Sequence, residues 1–277
     1  MKSIRDHREF YAHYIVRSAG SSSPALIAAF AATEREHYLG PGPWPIFVGS
    51  GYLPTLSDDP RLLYQDVLVG LAADRGINNG QPTLHARCLA ACDPAPGETV
   101  IHIGAGTGYY TAILAALVGA TGRVIAYEIE ADLAERARKN LEHLAQVRVV
   151  TASASVAALP QADVIYVSAG ATHPLNAWLD ALEPAGRLIF PLTPDEGYGG
   201  MLLVTRRSAS GYAASFVSRV SFIPCIGARD ELTSKALAAA FETQSIKAVR
   251  SLRRDVAPDG AIWFAGVGWC LSTAEPD

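Results

Sequence analysis

Apolar residues recur at three- and four-residue spacing over positions 4–17 and 24–36, predicting two helices, the second with Pro24 near its first turn. That rhythm stops at Leu39. Between there and Pro60, GPGPWP and SGYLPTLSDDP are crowded with Gly, Pro, Ser and Asp, so a surface loop is expected, with Trp44 and Tyr52 packed down. Apolar spacing returns in RLLYQDVLVGL, and the polar run DRGINNGQP then forms a loop between apolar stretches. From Thr83, TLHARCLAAC reads as a helix that ends before Pro94.

The pattern then changes. Five short strand-like runs follow: ETVIHIG, GRVIAYEIE, VRVV, ADVIYVSAG and GRLIFPLTP. Helical stretches lie between them, namely YTAILAALVG, ADLAERARKNLEHL and LNAWLDALEP. Strands alternating with helices of about ten residues require parallel crossovers, so the expected fold is α/β, a doubly wound Rossmann-like sheet, mostly parallel. MLLVTRR and YAASFVSRVSFIP have no helix between them and predict antiparallel C-terminal strands. Residues 230–254 read as a last amphipathic helix and AIWFAGVGWCLS as one more strand. The expected organisation is an N-terminal helical cover over 1–90, a core over 91–229 and an extension over 230–277.

Composition narrows the function classes. Of 277 residues, 49% are hydrophobic and 18% charged, with a net charge of −4, which argues against disorder and against a polyanion partner such as nucleic acid. The basic clusters, Arg206-Arg207 and Arg250 with Arg253-Arg254, read as solvated faces. No apolar run approaches the roughly 18 residues of a membrane span, and MKSIRDHREF is charged where a signal peptide is apolar. A cytoplasmic protein with no membrane partner is expected; nothing fixes its oligomeric state. Cys88 and Cys92 share a helical face as buried thiols, without neighbours that would make them a metal pair.

Candidate chemistry centres on the strand VIHI, which runs into Gly104-Ala105-Gly106-Thr107-Gly108 and straight into a helix. Ligands of such folds sit at the carboxyl ends of the strands, where glycines let a cofactor approach the backbone. A dinucleotide fingerprint, GxGxxG, needs glycine at 109, where this chain has Tyr109. S-adenosylmethionine, which has no phosphate to cradle, fits the GxGxG spacing better. Glu128, followed by Ile129, ends the next strand, where a carboxylate can accept both ribose hydroxyls.

With these residues in place, the chain from about Ala25 to Pro224 resembles the protein-L-isoaspartate O-methyltransferases, a branch of the class I S-adenosylmethionine-dependent methyltransferases. The resemblance is carried by LIAAFAATEREHYLG with its basic-acidic pair, YQD at Tyr64 to Asp66, QPTLHA, ATGRVIAYE and ALEPAGRLIFPL. It implies carboxyl O-methylation of an isoaspartyl-like residue in a protein or peptide, a protein-repair activity, with S-adenosyl-L-homocysteine as the product. The family's Thr-Ile-Ser-x-Pro segment is matched by Asn78-Asn79-Gly80-Gln81-Pro82, so Gly80 stands where the serine would be. Asn78, Asn79 and Gln81 can supply amide hydrogen bonds there, or merely shape the turn. His85-Ala86 matches a family His-Ala and places His85 at the active site.

Three further positions differ from the family. His102 replaces the acid near the methionine ammonium group, Thr151-Ala152-Ser153 replaces Gly-Asp-Gly, leaving Ser153 toward the adenine, and Thr172-His173 alters the segment that begins at Ser168. His173 is thereby an acceptor-side candidate, whereas His143 reads as surface or core. A carboxylate acceptor needs no general base, while an amine or hydroxyl would use His85 or His173. Two other readings stay open: an enzyme tailoring a specialised peptide or small molecule, and a non-catalytic cofactor-binding homologue. Tyr109 makes a nicotinamide oxidoreductase remote, and VSAGATHP lacks the motif of base methylation.

Overall fold

The computed structural model describes residues 3–155, 158–208, 211–255 and 260–276. The chain divides into two compact units, one of residues 1–98 and 104–152, the other of 99–103 and 153–277.

The first unit begins with α1 (Ile4–Ser18), opened by a capping box between Ser3 and Asp6. Helix α2 (Pro24–Ala32) is capped by Ser23 but stops at Thr33, whose backbone is extended and whose hydroxyl donates to the Ala29 carbonyl. The pattern read as one helix to residue 36 is thus two, because Thr33 and Glu34 are both extended before α3 (Arg35–Leu39) starts. The expected loop over 39–60 contains a hairpin, β1 (Pro45–Phe47) against β2 (Tyr52–Pro54). Trp44 is buried there with Leu39, Leu63 and Val69, while Tyr52 is half-buried. A second hairpin pairs β3 (Gly70–Ala72) with β4 (Ile77–Asn78), so the polar run INN is in part a strand. Helix α4 (Pro82–Cys92) follows as predicted, with Cys88 and Cys92 buried and outside any disulfide.

Strand β5 (Thr99–Ile103) belongs to the second unit, and the chain then re-enters the first with α5 (Tyr109–Val118), β6 (Arg123–Glu128), α6 (Ala131–Leu141) and β7 (Val147–Thr151). β6 and β7 pair in parallel.

The remaining elements of the second unit are β8 (Ala162–Val167), α7 (Asn176–Asp180), β9 (Leu182–Leu192), β10 (Gly199–Arg206), β11 (Gly211–Val220), α8 (Glu231–Thr243), β12 (Ser251–Arg254), β13 (Ile262–Gly266) and β14 (Trp269–Ser272). Its strands lie in the order β13-β14-β12-β11-β10-β9-β8-β5. β5, β8 and β9 run parallel and the rest are antiparallel, as the sequence pattern predicts for β10 and β11.

Three expectations are corrected. The crossover before β9 is only five residues of helix, because LEP joins the strand instead of extending α7. The predicted helix 230–254 ends at Thr243, and SLRR forms β12, with Leu252 fully buried between Tyr212 and Leu271. AIWFAGVGWCLS is a hairpin, turned at Gly268 with φ +74°. The basic clusters also turn inward in part: Arg254 pairs with Asp180 at 2.6 Å and Arg206 donates to the Leu182 carbonyl at 2.5 Å.

Candidate active site

In the first unit, the glycine loop is bound to the end of β6. The amides of Gly104 and Ala105 both donate to the Tyr127 carbonyl, at 2.9 and 3.2 Å. The Gly106 amide donates to Glu128 Oε2 at 2.7 Å, and the Glu130 amide to Oε1 at 2.9 Å. Gly106 has φ +56°, a conformation in which a side chain is strained, and a Cβ there would come within 3.0 Å of Leu71 Cδ1. Glu128 is 6% exposed; burial pushes its pKa up, against the pull of the Glu130, Gly106 and Ile129 amides. Thr107 is buried, with its carbonyl held by Asn140, and Ile129 is exposed beside the carboxylate.

The β3–β4 hairpin reaches this loop through Leu71, whose carbonyl accepts from Arg136. At the hairpin's turn Arg75 pairs with Glu130 and, at 2.6 Å, with Asp132. The other end of the hairpin carries the segment that QPTLHA singled out.

There, Asn78 shapes the turn: its Oδ1 accepts the Gly80 amide at 2.9 Å and its Nδ2 donates to the Tyr52 hydroxyl. Asn79 is 8% exposed and locked to Val69, its amide donating to the Val69 carbonyl and its Oδ1 accepting the Val69 amide. Its Nδ2 is buried with no hydrogen-bond partner. Gln81 is exposed and donates to Asp66. His85 is buried, with its ring stacked on Tyr110 at 3.7 Å and 11°, and the Tyr110 hydroxyl donates to the Gly80 carbonyl at 3.4 Å.

Gly80 has φ +73°, and a Cβ added to it would overlap His85 Nε2 and lie 2.8 Å from Cδ2. The imidazole therefore fills the place of any side chain at position 80. Asn78, Asn79, Gln81 and His85 are thus brought together. Tyr109, which decided the glycine spacing, packs edge-on to Phe30 and Tyr38. A cleft of about 560 Å³ beside α5, lined by His37, Tyr38, Lys139 and His143, contains none of these residues, and His143 is exposed in it.

In the second unit, His102 on β5 is 1% exposed, and its Nε2 lies 3.1 Å from Ser168 Oγ. Burial lowers its pKa to about 3, so the ring is neutral at physiological pH. Ser153 and Ser155 share a 2.6 Å hydroxyl contact. His173 Nδ1 lies 3.0 Å from Thr172 Oγ1, and burial is the main cause lowering its pKa, with Arg229 also lowering and Asp230 raising it.

The profile of the protein-L-isoaspartate(D-aspartate) O-methyltransferases matches residues 55–230. The chain belongs to that family. It is 30% identical over 174 residues to the protein-L-isoaspartate O-methyltransferase of Methanothermobacter thermautotrophicus, spanning 61% of this chain and 79% of that one. The Brucella anthropi protein of the same name is 30% identical over 185 residues, 65% of this chain and 80% of its own. Among solved structures, a protein-L-isoaspartate O-methyltransferase superposes with a TM-score of 0.66 at 23% identity, covering 84% of this chain and 69% of that one. A beta-aspartate methyltransferase of Plasmodium falciparum, solved with S-adenosyl-L-homocysteine, gives 0.64 at 18% identity, covering 79% and 98%. The fold is therefore the Rossmann-like methyltransferase fold. As a family member the chain is an S-adenosylmethionine-dependent methyltransferase of the isoaspartyl carboxyl class.

The sequence pattern assigns no role to Arg35, Asp66, Leu71 or Tyr110. Arg35 and Asp66 lie inside the family-like segments, so a signal exists, but their partners lie far along the chain and no local spacing reveals them.

Proposed function

We propose that this chain methylates the free carboxylate of isoaspartyl residues in proteins or peptides, using the glycine loop and Glu128 for the cofactor and the segment 78–85 for the acceptor. The observation that carries this is the β3–β4 hairpin. Leu71 on one strand approaches Gly106, and the other strand ends in the acceptor segment, so one short element adjoins both halves of the reaction.

The glycine loop and Glu128 suit a ribose-bearing group. Glu128 presents a buried carboxylate to the loop, with oxygen lone pairs left after its two backbone amides for ribose hydroxyls. Bound S-adenosylmethionine supplies a methyl group already activated on a sulfonium. The chain's own task is orientation and exclusion of water. Asn79 Nδ2, held in place and without a partner, is a donor for a carboxylate oxygen, with Thr83 Oγ1 a second in the same segment. The acceptor is ionised near neutral pH, with a carboxylic pKa of about 4, so no side chain has to remove a proton. His85 then acts by contact and shape.

Functionally we divide the chain into the cover and acceptor segment (1–90), the cofactor core (91–229) and an extension (230–277). Protein repair in the cytoplasm is part of the same reading; the four cysteines are buried thiols outside any disulfide, as suits a reducing compartment. Among the described residues no helix is long and apolar enough to cross a membrane.

The test is incubation of the pure protein with labelled S-adenosylmethionine and an isoaspartyl peptide, beside its aspartyl twin. Alkali-labile label on the isoaspartyl peptide alone is expected. Label that survives alkali, or equal transfer to both peptides, overturns the proposal.

A further inference from the structure

Arg35 is fully buried at the start of α3, yet among the described residues it forms no ion pair with a carboxylate. A buried charge is costly unless its hydrogen-bonding groups are met. Here the two terminal nitrogens meet carbonyls instead, Nη1 donating to Leu63 at 2.5 Å and Gln65 at 2.8 Å and Nη2 to Val67 at 2.6 Å, while Nε is buried without a partner. The rings of Tyr11 and Tyr109 lie 5.8 and 6.0 Å from its central carbon, within cation–π range.

Leu63 ends a short 3-10 helix (Pro60–Leu63) and its carbonyl also accepts the Gln65 amide at 2.8 Å, whereas Gln65 and Val67 lie in a stretch that is neither helix nor strand and lacks the partners regular structure supplies. One guanidinium gathers all three, a geometry that a lysine ammonium, a point donor on a flexible stem, does not reproduce. The stretch so fixed has two outlets toward the acceptor segment. Asp66 accepts the Thr83 amide at 2.7 Å, 17 positions away, and the Gln81 side chain at 2.9 Å. Helix α4 has no side-chain cap from Gln81, its own N-cap residue, so Asp66 caps it from a distance. Two residues beyond Val67, Val69 holds Asn79 through both a backbone and a side-chain bond.

We propose that Arg35 is a positioning residue for methyl transfer: through the 63–69 stretch it sets the acceptor segment 78–85 against the cofactor, without touching either substrate. This rests on the assignment of 78–85 to the acceptor.

Two readouts on R35M and R35K test it. Amide hydrogen exchange, which needs no acceptor, should show protection lost at Asn79 and Thr83 but kept in α5 and at Gly104. Calorimetry with S-adenosyl-L-homocysteine should keep the wild-type affinity, while kcat/KM for the isoaspartyl peptide falls at least about tenfold, toward the 100-fold cost of a small misplacement. R35K should not rescue, since it keeps the charge and loses the fork. Unchanged exchange at Asn79 and Thr83, or loss spread equally over α5 together with weaker cofactor binding, overturns the proposal. Should R35M not fold, D66A tests the same route: it must lower acceptor kcat/KM with cofactor affinity held, and equal loss of both refutes the route. A wild type inactive on isoaspartyl peptides would defeat the functional reading and leave the exchange result standing.

Discussion

Gly80→Ser restores, on paper, the hydroxyl that the family places at this position, and the structure says that it should damage the enzyme. Gly80 sits at φ +73°, where a residue with a Cβ is disfavoured by roughly 1–2 kcal/mol. The added Cβ would overlap His85 Nε2 and come within 2.8 Å of Cδ2, so the ring must leave its 3.7 Å stack on Tyr110. Overpacking of a tight interior costs about 1–3 kcal/mol, which brings the expected loss to about 2–5 kcal/mol. Urea unfolding should show a lower midpoint at an unchanged slope. Activity on an isoaspartyl peptide should fall with it. Replacing His85 by Ala as well frees the space, so the double variant should be more stable than the sum of the single losses, by a coupling of about 1–3 kcal/mol. A Gly80→Ser protein with the wild-type midpoint and raised activity would refute the reasoning, since it would mean the imidazole yields its place freely.

Glu128→Ala removes the acceptor of the Gly106 and Glu130 amides and should weaken S-adenosyl-L-homocysteine by about 1–3 kcal/mol in calorimetry. An unchanged affinity would move the ribose elsewhere. His102 carries a pKa lowered to about 3 in the folded chain, so between pH 6.5 and about 3 the unfolded chain binds more protons. Its contribution to stability is therefore present above pH 6.5 and lost as pH falls, by up to about 1.4 kcal/mol per unit. His102→Gln should flatten that part of the unfolding profile, and an unaltered slope would show that His102 is not its source. His85→Ala and His173→Ala should lower turnover of a carboxylate acceptor modestly, whereas a loss of about 100-fold with alkali-stable product would point to a general base and another acceptor.

Much of the fold is legible in the sequence because it depends on local pattern. The strand, the GxGxG run and Glu128 are fixed by a turn whose glycines and carboxylate lie within one β-α-β segment, and the structure joins them through the Gly106 amide. The strands from 99 to 220 are equally local. The expected helix boundaries fail where a short competing preference decides the outcome: Thr33 turning extended, and SLRR preferring a place between two strands to another turn of helix. The site is less readable where it depends on distant partners. No spacing shows that Asp66 caps α4, that Arg35 gathers three carbonyls, or that the glycine at 80 is imposed by the histidine five residues later.

That last relation bears on whether the departures from the family pattern mean a decayed site. A chain that has lost its catalytic role is free to accumulate cavities and loose polar groups at the positions it no longer uses, whereas a working site has to keep them packed. At Gly80 the place of a side chain is filled by His85, stacked and buried. His102 is buried against Ser168, and Ser153 is engaged with Ser155. Each departure is accompanied by a neighbour that takes up the space or the hydrogen bond. Asn79 Nδ2 is a contrasting case, buried without a partner like Thr83 Oγ1 in the same segment. Departures each packed in this way are what a working enzyme requires, and they weigh against the non-catalytic reading.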